Sequence, residues 1–245
     1  MSQSFKSLPE EFYREALIAK FELIAPQQEL VVMNKLGGSK PFFLADETWP
    51  HNEKGEQFTF ICQFQHPIQT QGQLARFFIN VNNLEEYQFD IIDPTQPHQI
   101  NVPEPKCLCL PCHQIKAWKK KRELISSEAI FRYYIEHVDL FQKDFAKELL
   151  DEFEITNLSE EKLQRSVIHS LLAQEYLFND HKPSDATLKV GGVPFSEEGN
   201  TQDYLDEGTF LQLCSQKQFP LPFSVGHIMT DNLNFVYEAV VDDAI

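Results

Sequence analysis

A pattern written twice constrains this chain more than any other feature. Lys35-Leu36-Gly37-Gly38, followed by Pro41-Phe42-Phe43, returns as Lys189-Val190-Gly191-Gly192, followed by Pro194-Phe195. Each copy then crosses a polar, acidic stretch into an apolar run ending in glutamine, Phe58 to Gln63 in the first and Thr209 to Gln212 in the second. Each reaches an aromatic run, Leu74-Ala75-Arg76-Phe77-Phe78-Ile79 and Leu233-Asn234-Phe235-Val236-Tyr237. Paired glycines at a strand edge permit positive φ and close backbone approach, so they read as turn chemistry. The same signals in the same order predict a duplicated sheet unit.

Between and before the copies the spacing of apolar residues changes. Ser7-Leu8-Pro9-Glu10 fits a capping box that opens a helix to about Phe21, with Phe12, Ala16, Leu17 and Phe21 as its stripe. Tyr87 to Ile92 reads as a further strand, stopped by Asp93-Pro94. From about Ile115 to Phe178 the period is helical, with Phe131, Tyr134, Ile135 and Val138 on one face and Leu163, Val167, Leu171 and Leu172 on another. The expected class is α+β, two related β-sheet units with an N-terminal helix and a helical insert between them. The expected boundaries are 1–25 for the helix, 26–93 for the first sheet unit, 94–184 for a Pro- and Cys-rich connector with its insert, and 185–245 for the second unit, all in one compact domain.

Charge bounds the partners. The formal charge is −16, from 21 basic and 37 acidic residues. From Asp144 onward there are 6 basic and 19 acidic residues, so −13 of that charge sits in the last stretch. The one basic island is Lys106 to Arg122, which contains Lys116, Lys119, Lys120 and Lys121 and no acid. A field this negative repels nucleic acid and anionic lipid and steers cationic partners inward. The opening Met1-Ser2-Gln3-Ser4-Phe5-Lys6 has no apolar signal segment, and no run approaches the about 20 apolar residues of a membrane-spanning helix. A cytoplasmic protein is therefore expected, with no nucleic acid and no membrane among its partners. Five cysteines in that setting are expected as free or metal-bound thiols.

The motif order resembles the YwqG-like family of bacterial proteins of unknown function. The residues that carry the resemblance are Leu36-Gly37-Gly38, Trp49-Pro50, Phe58 to Phe64 and Gly72 to Ile79, then Lys189 to Phe195, Leu211-Gln212-Leu213 and Asn234 to Tyr237. It covers roughly residues 30–82 and 185–238. Asp231-Asn232-Leu233 stands where that family has a Gly-rich run. The resemblance implies a duplicated α+β fold in a cytoplasmic protein and, by analogy, an interaction or immunity role beside toxin systems.

Cys107-Leu108-Cys109-Leu110-Pro111-Cys112-His113 is the one candidate for chemistry. Thiolates and imidazole suit zinc, although this spacing is not the two separated pairs of a structural zinc site. The alternatives are packing cysteines in a proline-rich connector and redox-sensitive thiols, with Lys106 and the lysines after it lowering a thiolate pKa. Zinc on Cys107, Cys109, Cys112 and His113 is the cofactor to consider; none is otherwise expected. Cys62 and Cys214 lie in apolar runs and read as buried strand cysteines.

The chain contains no Gly-x-Ser-x-Gly elbow, no His-Glu-x-x-His and no phosphate loop. Acidic loops recur at equivalent places, with Asp46, Glu47 and Glu53 in the first copy and Asp203, Asp206 and Glu207 in the second. The expected function is a non-catalytic binding module that holds a basic protein, such as a toxin domain, on these acids. Trp49 would be its aromatic anchor, unless it packs beneath the loop. The alternative function is a metal-dependent or redox-sensitive protein centred on Cys107–His113.

Overall fold

Tyr13 to Leu23, whose apolar spacing fits a helix, is a β-strand. The computed structural model describes residues 8–25, 28–29, 32–67, 72–125, 184–195, 209–229 and 233–238. Pro9 leads into a 3-10 turn, Glu10–Phe12, with no side-chain cap, and the backbone is extended from Tyr13 onward. Ala16, Leu17 and Ala19 are buried while Arg14, Glu15, Lys20 and Glu22 are exposed, so burial does not simply alternate along this mid-sheet strand. Such a strand does not alternate, so its pattern cannot be told from a buried helix by period alone.

Among the described residues ten strands form one antiparallel sheet. They are β1 (Tyr13–Leu23), β2 (Lys35–Leu36), β3 (Thr59–Gln65), β4 (Leu74–Ile79), β5 (Tyr87–Ile92), β6 (His113–Leu124), β7 (Leu188–Gly191), β8 (Thr209–Cys214), β9 (Val225–Met229) and β10 (Phe235–Glu238). Their order is β10-β9-β8-β7-β1-β6-β2-β3-β4-β5. The expected α+β class is therefore corrected: helical structure among the described residues is confined to short 3-10 turns, and the architecture is β. The expected helical stretch begins inside β6, where Ile115 to Leu124 pair with β1; its remainder, from 126 to 178, lies outside the described residues.

The order is symmetric about the β1–β6 pair. Strands β2 to β5 and β7 to β10 run outward from it in matching sequence, so the two units share one sheet. The first strands are exchanged: β1 precedes β2 in the chain but pairs with β7, and β6 precedes β7 but pairs with β2. Gln63 and Gln212 occupy equivalent places, opposite Lys35 and Lys189 respectively. The aromatic runs do not correspond. Leu74–Ile79 is β4, whose counterpart is Val225–Met229, whereas Phe235–Glu238 is the counterpart of β5.

The sheet curls until its two ends nearly meet. Phe235 contacts Phe77 and Tyr87 at centroid distances of 5.0 and 5.6 Å, and its backbone N–H donates to the Tyr87 hydroxyl at 3.2 Å. The enclosed core includes Leu36, Phe64, Phe77, Val190, Leu211 and Ile228. A second cluster, Phe43, Trp49, Phe58, Phe60, Phe78 and Val102, lies where the loop after β2 and the connector after β5 pack together.

Candidate functional site

The repeated lysines and glutamines begin two rows of buried polar side chains that cross the sheet. In the first half the register sets Lys35 against Gln63, Gln63 against Arg76 and Arg76 against Asp90. In the second it sets Lys189 against Gln212 and Gln212 against His227. Successive strand residues face opposite sides, so each row shares the face away from neighbours such as Leu36, Cys62 and Phe77.

Each lysine is sealed by the Gly-Gly turn and by a buried carboxylate. Lys189 and Glu123 are both fully buried, with Nζ 3.1 Å from Oε2. The same carboxylate accepts from Val193 N at 2.9 Å and Ser184 N at 2.7 Å, and Lys189 Nζ also donates to Val193 O. In the first half Lys35 Nζ donates to the carbonyls of Glu29 and Lys40, while Glu29 Oε1 accepts from Lys40 N at 2.6 Å. The turns must be glycine because the carboxylates press on them. A Cβ on Gly38, at φ +97°, would lie 2.1 Å from Glu29 Oε1, and one on Gly192, at φ +80°, would lie 2.6 Å from Glu123 Oε2. Burial lowers the pKa of both lysines, and the facing carboxylates oppose that shift.

The glutamines hold the segment after each turn. Gln63 accepts from Phe42 N at 2.8 Å and donates to Met33 O at 3.0 Å. Gln212 accepts from Phe195 N at 2.9 Å and donates to Ser184 O at 2.8 Å. The next residue in each row reaches the same segment's carbonyl: Arg76 Nη1 to Phe42 O at 2.7 Å, and His227 Nε2 to Phe195 O at 3.0 Å. Arg76, 1% exposed, uses all five of its donors, on Phe42 O, both Glu47 oxygens and both Asp90 oxygens. Burial works against its charge, but these hydrogen bonds hold its pKa above the ordinary value. Glu47 is likewise opposed by burial, and its bonds to Arg76 and Leu44 N keep its pKa below the ordinary carboxylate value. Burial drives His227 down to about 4, and the charge of Lys189 adds to that shift. A guanidinium with every donor taken is a structural joint with nothing left to offer a ligand.

The residues singled out in the sequence scatter. Trp49 is buried and donates its indole N–H to Phe58 O at 2.7 Å, with Phe43 and Phe78 around its ring. It packs beneath the loop and presents no anchor. Glu47 turns inward onto Arg76, Asp46 is exposed, and Asp203, Asp206 and Glu207 lie outside the described residues.

The cysteine run does not converge either. Cys112 is buried beside the Gly37-Gly38 turn, whereas the His113 ring lies edge-on to Phe21 and Phe219. Cys107 is half-buried and donates to Phe58 O at 3.2 Å, and Cys109 is exposed. Among the described residues no group of three or more His, Cys, Asp or Glu is placed to hold a metal ion. The expected lowering of thiolate pKa is also reversed. Burial raises Cys107, Cys109 and Cys112, the last to about 12, and Glu29 pushes Cys109 and Cys112 further up. Of the lysines that were to activate these thiols, Lys106 is exposed beside Cys107, and the rest lie on β6, where Lys116 and Lys120 pair with Glu22 and Glu15.

One feature of the surface is signalled in the sequence only by Glu53 of the first acidic loop. The turns at 51–57 and 80–86 come together, with Asn52 Nδ2 donating to Glu56 and Glu86 at 2.7 and 2.8 Å and Asn80 Nδ2 donating to Glu86 at 2.7 Å. Glu53, Glu56 and Glu85 are exposed there, beside Lys54 as the one lysine in either turn. Among the described residues no helix is long and apolar enough to cross a membrane. No protein-family model matches the chain, and no curated protein matches it.

Proposed function

We propose that this chain is a non-catalytic, cytoplasmic binding module that holds a basic protein on an acidic surface. The observation that carries this is where the cations go. Lys35, Arg76 and Lys189 are consumed inside the polar rows, and Lys116, Lys120 and Arg122 face carboxylates of β1 and the turn before it. The chain carries a net −16, and among the described residues Glu53, Glu56, Glu85 and Glu86 form a cluster braced by Asn52 and Asn80. Such a cluster adds steering and salt-sensitive association to any cationic partner. The motif order shared with the YwqG-like family suggests an immunity-like form of this role, with a cationic toxin domain as the partner. A zinc or redox centre on all four of Cys107, Cys109, Cys112 and His113 gains no support from their separate environments.

The test is capture of partners from native lysate at low salt on the immobilised chain, with elution by a salt step and identification by mass spectrometry. A stoichiometric basic protein that rebinds when purified is the expected result. An eluate without one, or a partner whose binding is indifferent to salt, contradicts the proposal.

A further inference from the structure

Three of the five thiols, Cys62, Cys112 and Cys214, are buried, and two are left at the surface. Those two, Cys107 and Cys109, flank Leu108, which is 55% exposed. The chain is pinned just outside the pair, where Lys106 N donates to Gln57 Oε1 at 2.6 Å and Gly38 N donates to Leu110 O at 2.9 Å. Cys109 Sγ folds back to within 3.8 Å of the Cys107 carbonyl oxygen. Two trans peptides limit the separation of these Cα atoms to about 7.6 Å, and a disulfide needs about 4.4–6.8 Å. The chain already bends at Lys106 and Cys107, so closure asks only for local rotation.

We propose that Cys107 and Cys109 form a reversible intrachain disulfide, closed by a small disulfide of the glutathione type. The Cys109 thiolate, the more exposed, attacks one sulfur of the oxidant and expels the other as a thiolate. The Cys107 thiolate then attacks Cys109 Sγ and expels the second. The protein loses two protons and two electrons, and the oxidant is reduced to two thiols. Burial and nearby negative charge hold both thiols above their ordinary pKa, so closure speeds up as pH rises. The bond also removes one of two donors on Phe58 O, leaving the indole N–H of Trp49, so tryptophan emission reports it.

The test treats the reduced, full-length protein with glutathione disulfide at mildly alkaline pH, then alkylates it and measures intact mass and peptide maps. The expected product is a monomer that has lost two hydrogens and, once denatured, alkylates at the three remaining cysteines. Its linked peptide joins Cys107 to Cys109, and dithiothreitol reverses it. Cys107→Ser and Cys109→Ser should each stop at a single glutathione adduct. Wild-type protein that also stops at an adduct, or a linkage that maps to Cys112 or between molecules, overturns the proposal. The wild-type map decides the matter even where a variant fails to fold.

Discussion

Replacing Glu123 by alanine should cost about 5 kcal/mol of folding stability. The carboxylate is fully buried, 3.1 Å from Lys189 Nζ, and accepts from Ser184 N and Val193 N at 2.7 and 2.9 Å. Removing one partner of a buried ion pair costs about 3–5 kcal/mol, because the other charge is left without compensation. Each backbone amide stripped of its acceptor adds about 1–3 kcal/mol, and these costs overlap as the site relaxes. A whole domain has a margin of about 5–15 kcal/mol, so this variant should be near the edge of folding. Glu123→Gln keeps one acceptor oxygen and should lose about 3 kcal/mol by the same reasoning. The double variant Glu123→Leu/Lys189→Met removes both charges and should cost less than Glu123→Ala, about 2 kcal/mol for the two amides. Urea unfolding with the m-value held as a check measures all three, and the singles Glu123→Leu and Lys189→Met complete the cycle. A cost under about 1 kcal/mol for Glu123→Ala, or strict additivity of the two sites, would refute the claim that this pair is a coupled structural joint.

Further outcomes follow from the same geometry. Gly38→Ala should destabilise by several-fold more than Gly55→Ala in the same urea assay. Both glycines have positive φ, but a Cβ on Gly38 meets Glu29 while one on Gly55 meets nothing within 4 Å; equal losses would sink the argument. Arg76→Lys should cost about 2 kcal/mol in thermal or urea unfolding, since an ammonium cannot span Glu47, Asp90 and Phe42 O together; an unchanged midpoint would contradict this. His227 carries a pH dependence of definite sign. Its folded pKa of about 4 lies below the ordinary 6.5, so the unfolded state takes up the proton first as pH falls. Stability is then lost from about pH 6.5 down to about pH 4, by up to about 3 kcal/mol, and is flat with respect to this group above that window. Wild type minus His227→Gln, measured across that range, should show the slope; parallel curves would rule it out.

The duplication was legible because it rests on residues that cannot be exchanged. The Gly-Gly turns are forced by positive φ and by a carboxylate pressed against them, and the lysine and glutamine of each copy are fixed by buried hydrogen bonds. What carries the charge in those joints was not legible. Glu29 and Glu123 lie outside the repeated motif and reach it from the connection after β1 and from the end of β6. The two central strands were misread because neither alternates: β1 buries Ala16 and Leu17 side by side, and β6 exposes Lys116 and Ala117, then Lys119 and Lys120, in consecutive pairs. Misassigning β10 as the partner of β4 arose because Phe-rich runs look alike, whereas register across β8 and β9 decides the match. Trp49 beside an acidic loop reads equally as anchor or core, and only its indole bond to Phe58 O separates the two. The bracing of Glu56 and Glu86 by Asn52 and Asn80 joins turns almost thirty residues apart, which no local pattern foretells.

The most direct test of the binding role is the ionic-strength dependence of association with a purified basic partner, compared between the wild type and Glu53→Lys/Glu56→Lys/Glu85→Lys. The acidic-surface reading predicts a wild-type association rate that falls steeply with salt and a variant that is slow, with a much shallower salt dependence. Identical rates and identical salt slopes for the two proteins would contradict it.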